Sequence, residues 1–251
     1  MLARCRRYRP QAIARPPARR CTCARTLATA AVPEKVRAKL GADLHLQPGH
    51  PLHIIKRTIE MHFEAQPGEP YAFFDSLPPQ VSVEANFDEL LIPPDHVSRA
   101  PTDTFYLDEG TVLRTHTSAH QNELMRAGQR AFLCSGDVYR RDTVDRSHYP
   151  VFHQTEGLKI FEEWGNGPDA QGRVEEDMKR TLDGLARALF GEVETRWNTD
   201  YFPFTEPSWE LEILFQGEWL EVRSAPPPRP PLLCLGGKMW PWCGGRCWAA
   251  G

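Results

Sequence analysis

The sequence predicts an α+β domain whose core is an antiparallel β-sheet flanked by helices. Short β patterns follow one another through brief turns between residues 131 and 222, and one long amphipathic helix pattern interrupts them. Another helix pattern precedes them at residues 50–63. Successive strands joined by turns, with helices inserted between groups of strands, are typical of this fold class.

The helices are predicted from apolar positions that recur with a helical period. Residues 50–63 include Pro51, which suits a first helical turn, and residues 118–130 begin at a Thr-Ser pair that suits an N-cap. Residues 174–190 form the longest helix pattern, and Gly191 suits a stop just beyond it. The apolar faces of the first and last helices consist of Leu52, Ile55, Ile59 and Phe63, and of Met178, Leu182, Leu185 and Leu189.

The strands are predicted from alternation of apolar and polar residues. They lie at residues 80–93 (with a turn), 111–114, 131–141, 152–161, 192–197, 209–215 and 218–222. A polar loop of roughly ten residues separates the strands at 131–141 and 152–161, and a Gly-containing loop covers 162–172. Gln216-Gly217 favours a tight hairpin between the last two strands.

Charge divides the chain into a basic leader and an acidic body. The first 33 of 251 residues contain eight Arg and no acidic residue, which leaves 22 basic against 33 acidic side chains elsewhere. An Arg-rich leader without an apolar run is typical of an organellar transit peptide, with a disordered basic tail as the alternative, so residues 1–33 are predicted to target the mitochondrion. The acidic body argues against a general nucleic-acid coat protein. No apolar run reaches the length of about 18 residues that a membrane helix needs, and no membrane partner is expected.

Residues 223–251 break the strand pattern abruptly. They are rich in Pro, Trp and Cys, contain no acidic residue and show neither a helical nor a strand period. They are predicted to form a disordered tail. It is either a partner ligand built on the proline-rich residues 226–231 or, as we favour, a segment foreign to the ancestral fold. The seven Cys show no repeated spacing, which favours a reducing compartment over a disulfide scaffold.

One strand face carries side chains that suit a ligand better than a core. Alternation places Phe152, Gln154 and Glu156 on one face, and it places Val138 and Arg140 on a common face of the preceding strand. Burying an amide and a carboxylate without partners would cost several kcal/mol, and an ammonium group would supply those partners. The Arg140 guanidinium suits a phosphate. A solvated sheet face with an Arg–Glu cross-strand pair is the alternative.

Two further segments combine chemically useful residues. His116 and Ser118 stand at a helix start, where capping is the ordinary role of Thr or Ser. His116 and His120 have the spacing of a metal pair, but no third ligand stands at a recognised spacing, and no metal site is predicted. Residues 201–207 pack three aromatic residues around Pro203, either as core and turn or as a pocket for an aromatic side chain.

Four segments, in this order, strongly resemble the phenylalanyl-tRNA synthetases, above all the single-chain mitochondrial type. They are NFDELLIPPDHVSR (86–99), TVLRTHTSAHQ (111–121), GDVYRRDTVDRSHYPVFHQTEG (136–157) and YFPFTEPSWE (201–210). The resemblance covers about residues 51–222 and implies a class II synthetase-like antiparallel sheet. Residues 50–63 resemble motif 1 of that class and residues 136–157 resemble motif 2. Val97 and Thr155 depart from the family pattern, although Thr155 is expected to point away from the site face.

The resemblance implies an ATP site around the second strand of the pair. Arg140 would be the catalytic residue that holds the α-phosphate, His148 would contact the outer phosphates, and Phe152 would stack on adenine.

The resemblance also implies an amino-acid site. Gln154 and Glu156 would bind the amino group of phenylalanine, in agreement with the same-face pattern. The other implied contacts are His116 and Ser118 beside the carboxylate and ammonium, Gln121 at the border, and Phe202 and Phe204 around the phenyl ring.

The activity implied is ATP- and Mg²⁺-dependent formation of phenylalanyl-adenylate from L-phenylalanine, followed by transfer to tRNA(Phe). The resemblance also implies a monomer in the mitochondrial matrix.

The resemblance stops near residue 222, before the Gly-rich strand and the motif 3 that the family pattern would continue with. The family's C-terminal anticodon-binding domain is likewise not found. Residues 34–222 are therefore expected to form a catalytic core that lacks central strands and activates phenylalanine poorly or not at all. The alternatives are a non-catalytic paralogue that binds ATP, phenylalanine or tRNA as a regulatory module, and an interaction protein that acts through its Pro-rich tail.

Overall fold

The computed structural model describes residues 32–141, 144, 149–161, 169–202, 205–223 and 246–250. The helices are α1 (Glu34–Arg37), α2 (Pro51–Glu64), α3 (Val83–Asn86), α4 (Gln121–Arg126) and α5 (Ala170–Phe190). The strands are β1 (Ala72–Phe74), β2 (Gln80–Ser82), β3 (Thr111–Leu113), β4 (Ala131–Tyr139), β5 (Val151–Phe161), β6 (Thr195–Phe202), β7 (Thr205–Phe215), β8 (Glu218–Arg223) and β9 (Arg246–Ala250). Short 3₁₀ turns occupy Leu44–Leu46, Asp88–Leu90, Val97–Arg99 and Thr117–His120.

The described strands form three sheets. The central sheet has the order β1-β4-β5-β9, β2 pairs with β3, and β6-β7-β8 form the third sheet. Neighbouring strands run antiparallel except β1, which runs parallel to β4. The predicted α+β class with a mainly antiparallel sheet is confirmed.

The β4–β5 pair fixes which side chains share a face of the central sheet. Val138 lies opposite Phe152 and Gly136 lies opposite Gln154, so these residues and Glu156 belong to one face. We call this the site face. The same-face prediction for Phe152, Gln154 and Glu156 is confirmed.

The opposite face of the central sheet, here called the helix face, is covered by α2 and α5. The two helices contact each other, and their apolar side chains pack with Leu133 of β4 in one core cluster. His50 begins α2 by accepting a hydrogen bond from the Leu52 backbone N–H at its Nδ1 atom, 3.2 Å away. The predicted apolar stripe of α2 is only partly buried, because Phe63 is 3% exposed whereas Ile55 is 47% exposed.

The third sheet closes on the predicted tight hairpin. Gln216 and Gly217 both have positive φ, 53° and 85°, which is the backbone geometry that lets a two-residue turn follow the strand twist. The preceding strand β6 extends to Phe202, further than predicted, because residues up to Phe202 still pair with β7.

Three further regions differ from the sequence-based expectation. Of the strand and turn predicted at residues 80–93, only Gln80–Ser82 form a strand, and Val83–Asn86 and Asp88–Leu90 are helical. Helix α4 is shorter than predicted, since Thr117–His120 form a 3₁₀ turn and only Gln121–Arg126 are α-helical. In the tail that was predicted to be disordered, Arg246–Ala250 form β9, paired with Gly157–Phe161 of β5. An extended segment there satisfies backbone groups that the edge of β5 would otherwise expose. No helix within the described ranges is long and apolar enough to cross a membrane.

Candidate substrate site

A turn between β3 and α4 lies against the site face of β5. We call residues 115–121 the site turn. Its Ser118 Oγ donates a hydrogen bond to Glu156 Oε1 at 2.5 Å, and its Thr117 backbone N–H donates to Gln154 Oε1 at 3.2 Å. The turn and the strand therefore bring together side chains that are about forty positions apart in the chain.

The start of the site turn is held by Asn86, a fully buried residue at the end of α3. Its side-chain oxygen accepts a hydrogen bond from the Thr115 backbone N–H at 3.1 Å, and its Nδ2 donates to Thr115 Oγ1 at 3.0 Å. An amide that uses both its donor and its acceptor on one residue fixes that residue's backbone as well as its side chain. Thr115 is therefore a fixed point from which His116 projects.

Arg140 stands directly after β4 and reaches the same turn. Its Nε donates to the Thr115 carbonyl oxygen at 3.0 Å, and its Cζ lies 5.0 Å from the centroid of the Phe152 ring. The ring and the carbonyl hold the guanidinium by a cation–π contact and a hydrogen bond. The predicted common face of Val138 and Arg140 is confirmed, since both meet Phe152.

Burial makes the Glu156 carboxyl a weaker acid than usual. Removal from water disfavours the carboxylate and raises the pKa of Glu156 to about 7, even though the Ser118 hydroxyl and the charges of Arg140 and Arg114 act in the opposite direction. The group therefore exchanges its proton near neutral pH. A cation placed beside it would convert it fully to the carboxylate.

His116 is kept neutral by its surroundings. Burial, followed by the charge of Arg140, lowers the pKa of His116 to about 4. Both its ring nitrogens are buried and hydrogen-bonded to nothing within the described part of the chain, and the same holds for Gln121 Nε2. Buried polar atoms are normally paired, so these three atoms are suited to partners that a ligand would bring.

Residues 45–232 match the profile of the family described as tRNA synthetases class II core domain (F). This match spans most of the chain and includes every element of the site. The chain belongs to this family. The class II synthetase-like fold implied by the four sequence segments is confirmed.

Relatives in this family are similar over much of this chain. The chloroplastic/mitochondrial phenylalanine–tRNA ligase of Arabidopsis thaliana is 52% identical over 194 residues, which cover 76% of this chain and 45% of that protein. The mitochondrial phenylalanine–tRNA ligase of Mus musculus is 45% identical, over 75% of this chain and 49% of that protein. The chain thus spans about half the length of these relatives.

Solved structures agree on the fold. The pyrrolysyl-tRNA synthetase PylSc of Desulfitobacterium hafniense superposes with a TM-score of 0.55 at 13% identity, over 87% of this chain and 71% of that one. At this identity the likeness concerns the class II synthetase fold alone.

Within this class II synthetase core, the structure brings most of the predicted site residues together. The site turn and β5 contribute His116, Ser118, Gln121, Gln154 and Glu156, and Arg140 with Phe152 lies beside them. Their ligand roles stay predictions. Phe202 ends β6, but its side chain, and all of His148 and Phe204, lie outside the described residues.

Sequence reasoning missed the residues that hold the site turn. Asn86 was noticed only as part of a resembling segment, and Arg114 only as the end of an apolar strand. Two sequence features could have indicated these residues. Arg114 is a charged residue at the end of a short apolar strand, and such a residue needs partners if it is buried. Gly136 lies inside a strand pattern, where a glycine often marks the close approach of another group. Within the described ranges, no group of three or more His, Cys, Asp or Glu side chains is arranged to hold a metal ion.

Proposed function

We propose that the site face binds L-phenylalanine and ATP and joins them, at a low rate in this chain, to phenylalanyl-adenylate, the first step in charging tRNA(Phe). The observation that carries this proposal is the convergence of Ser118, Gln154 and Glu156 on one point of the central sheet. A carboxylate, an amide oxygen and a hydroxyl oxygen are three acceptors, which match the three N–H donors of an α-ammonium group.

The charge balance of the pocket supports an ammonium ligand. Glu156 is an acid with a pKa of about 7, and the ion pairs among the described residues include none at Glu156. A bound ammonium would supply the missing positive charge. The neutral His116 ring supplies one N–H donor and Gln121 Nε2 supplies two, and these unpaired groups suit a carboxylate.

The position of Arg140 supports a nucleotide beside the amino acid. Its guanidinium, held by Thr115 and lying over Phe152, has N–H groups suited to phosphate oxygens, and an aromatic ring such as Phe152 suits stacking on a purine base. We propose that Mg²⁺ arrives on the phosphates of ATP, since Mg²⁺ usually retains waters and binds mainly through substrate phosphates.

The proposed reaction is a displacement at phosphorus. One carboxylate oxygen of phenylalanine bonds to the α-phosphorus of ATP, and the bond from that phosphorus to the bridging oxygen breaks, releasing pyrophosphate. The protein contributes orientation and charge, with the α-amino group fixed at Glu156 and the α-phosphate at Arg140. A terminal ribose hydroxyl of tRNA(Phe) then attacks the adenylate carbonyl and releases AMP.

We propose that the chain acts in mitochondrial translation. The names of the Arabidopsis and mouse relatives and the Arg-rich leader support the mitochondrion, and the leader composition supports the matrix. A monomer is proposed from the resemblance to the single-chain type.

Isothermal titration calorimetry with L-phenylalanine tests this function on the full 251-residue chain. Saturable binding is expected for the wild type. Glu156→Gln should weaken it by about a hundredfold or more, because the ammonium loses its charged partner. The control Glu109→Gln, at an exposed residue, should leave the dissociation constant unchanged.

The outcomes are distinct. Absence of saturable phenylalanine binding, or equal binding by wild type and Glu156→Gln, contradicts the proposed site. Phenylalanine-dependent exchange of pyrophosphate into ATP would support the adenylation step of the proposal. Binding of a phenylalanyl-adenylate analogue without any exchange would favour the regulatory alternative.

A further inference from the structure

Arg114 is a charged residue buried at the centre of the fold. It follows β3 directly and is 1% exposed, although it carries a permanent positive charge. Burying a guanidinium is costly unless its N–H groups are satisfied, so its partners reveal what it holds in place.

The Arg114 side chain binds three separate parts of the chain. Its Nε donates to the Asp137 carbonyl at 2.7 Å, and its Nη2 donates to Asp137 Oδ1 at 3.1 Å, which anchors it to β4. Its Nη1 donates to the Leu77 carbonyl at 3.2 Å and to His120 Nε2 at 3.1 Å. The Tyr139 hydroxyl donates to the second oxygen of Asp137, so that carboxylate is held from both sides.

The backbone of Arg114 belongs to the same assembly. Its N–H donates to the Pro79 carbonyl at 2.8 Å, and its carbonyl accepts from the Tyr139 N–H at 2.9 Å. The residue therefore joins the segment before β2, the end of β3 and strand β4. Side chain and backbone together leave this arginine little freedom to move.

Gly136 provides the space through which the guanidinium passes. A Cβ atom on Gly136 would lie 3.0 Å from Arg114 Cζ and closer still to Nη2. Gly136 pairs with Gln154 across the β4–β5 ladder, so the guanidinium lies over the site face at the level of Gln154. Any larger residue at position 136 would displace the guanidinium from its partners.

These contacts fix the far end of the site turn. Asn86 holds its first residue, Thr115, and Arg114 holds His120 near its end. Thr117 and Ser118, which contact Gln154 and Glu156, lie between these two fixed points.

We propose that Arg114, in the space left by Gly136, is a positioning residue that sets the site turn at the distance from β5 at which the amino-acid pocket forms. The identity of the ligand in this proposal rests on the proposed function, whereas the position of the site turn rests on the hydrogen bonds described above. Arg114 acts through His120 and Asp137 and does not itself contact the ligand.

Hydrogen exchange on the ligand-free chain tests the geometry directly. The Thr117 amide, bonded to Gln154 Oε1, reports whether the turn is seated. Gly136→Ala and Arg114→Lys should each accelerate exchange of this amide at least about tenfold, because a lysine cannot serve Asp137, Leu77 and His120 together.

Gly184→Ala is the matched control. It also forces a Cβ against a side chain, 2.9 Å from His62 Cε1, but it does so between α2 and α5 on the helix face. It should lower the melting temperature without changing Thr117 exchange once rates are compared at equal global stability. The dissociation constant of L-phenylalanine should rise about tenfold or more in Gly136→Ala and Arg114→Lys, and less than about twofold in Gly184→Ala.

The two proposals fail in different ways. Unchanged Thr117 exchange in both Arg114→Lys and Gly136→Ala, or equal acceleration in Gly184→Ala, overturns the positioning role whatever the ligand. Faster Thr117 exchange in the first two variants supports it even if the wild type does not bind L-phenylalanine, a result that would contradict the proposed function alone. If Gly136→Ala does not fold, Arg114→Lys alone decides the outcome.

Discussion

The two faces of the central sheet differ in whether a buried charged side chain has a partner of opposite charge within the protein. On the helix face, Lys56 Nζ lies 2.5 Å from Glu60 Oε1 and 2.7 Å from Asp75 Oδ2. Arg57 Nη1 lies 2.6 Å from Glu60 Oε2, so two cations match two carboxylates within the protein. On the site face, Glu156 receives a hydroxyl from Ser118 but no ion pair among those described, and its pKa rises to about 7. A balanced buried charge serves the fold, whereas an unbalanced one is suited to a ligand that completes it.

Removal of a balanced charge should have the largest effect on stability. Lys56→Ala leaves Asp75 without its cation, and it leaves Glu60, whose side chain is 5% exposed, paired with Arg57 alone. We expect a loss of about 2–4 kcal/mol in the free energy of unfolding, measured by urea denaturation, because Asp75 loses its cation and Glu60 keeps one of its two. Arg37→Ala, at an exposed pair, should cost less than about 1 kcal/mol and serves as the control. A loss for Lys56→Ala as small as that of the control would show that the helix face does not depend on matched charge.

Removal of the unbalanced charge should act in the opposite direction. The pKa of Glu156 is raised in the folded protein, so the native state binds the extra proton between about pH 4.5 and 7, and stability falls as the pH rises through that window. Glu156→Gln removes this penalty. At pH 8 the ligand-free variant should be more stable than the wild type by about 1–3 kcal/mol, and near pH 4 the two should be equal.

Thermal or urea unfolding at the two pH values checks this sign. A variant that is less stable at pH 8 would mean that Glu156 is already balanced inside the protein. That result would remove the contrast between the two faces.

Phenylalanine affinity should depend on pH through the same group. Below about pH 7 the Glu156 carboxyl must lose a proton before it pairs with an ammonium, so the dissociation constant should rise up to about tenfold for each unit of pH decrease. The pKa of His116 is lowered to about 4, so this ring does not titrate between about pH 5.5 and 8. Calorimetric titrations across that range measure the slope. In Glu156→Gln the residual binding should show no such slope, and a persistent slope would assign it to another group.

The helices and the strand faces that define this comparison were predicted well from the sequence, because they depend on local periodicity. Alternation along β5 was sufficient to place Phe152, Gln154 and Glu156 on one face, and the helical period was sufficient for α5. The contacts of Arg114 with Leu77, Asp137 and His120 were not predictable in this way, since they join elements separated by up to 37 positions. No local pattern contains the information that a strand glycine at position 136 and a buried arginine occupy the same space.

The smallest effect is expected at Thr155, on the opposite face of β5 from Gln154 and Glu156. Its side chain lies on the helix face, and its Oγ1 is 2.9 Å from Ser135 Oγ. Thr155→Val keeps the shape of the side chain but leaves the Ser135 hydroxyl without this partner, so we expect a loss of about 1 kcal/mol in unfolding free energy. The dissociation constant of L-phenylalanine should stay within about twofold of the wild type, because Thr155 points away from Gln154 and Glu156. A change in the binding free energy of L-phenylalanine larger than the change in the free energy of unfolding would mean that the two faces of β5 are coupled. The contrast between a stabilising helix face and a ligand-binding site face would then be wrong.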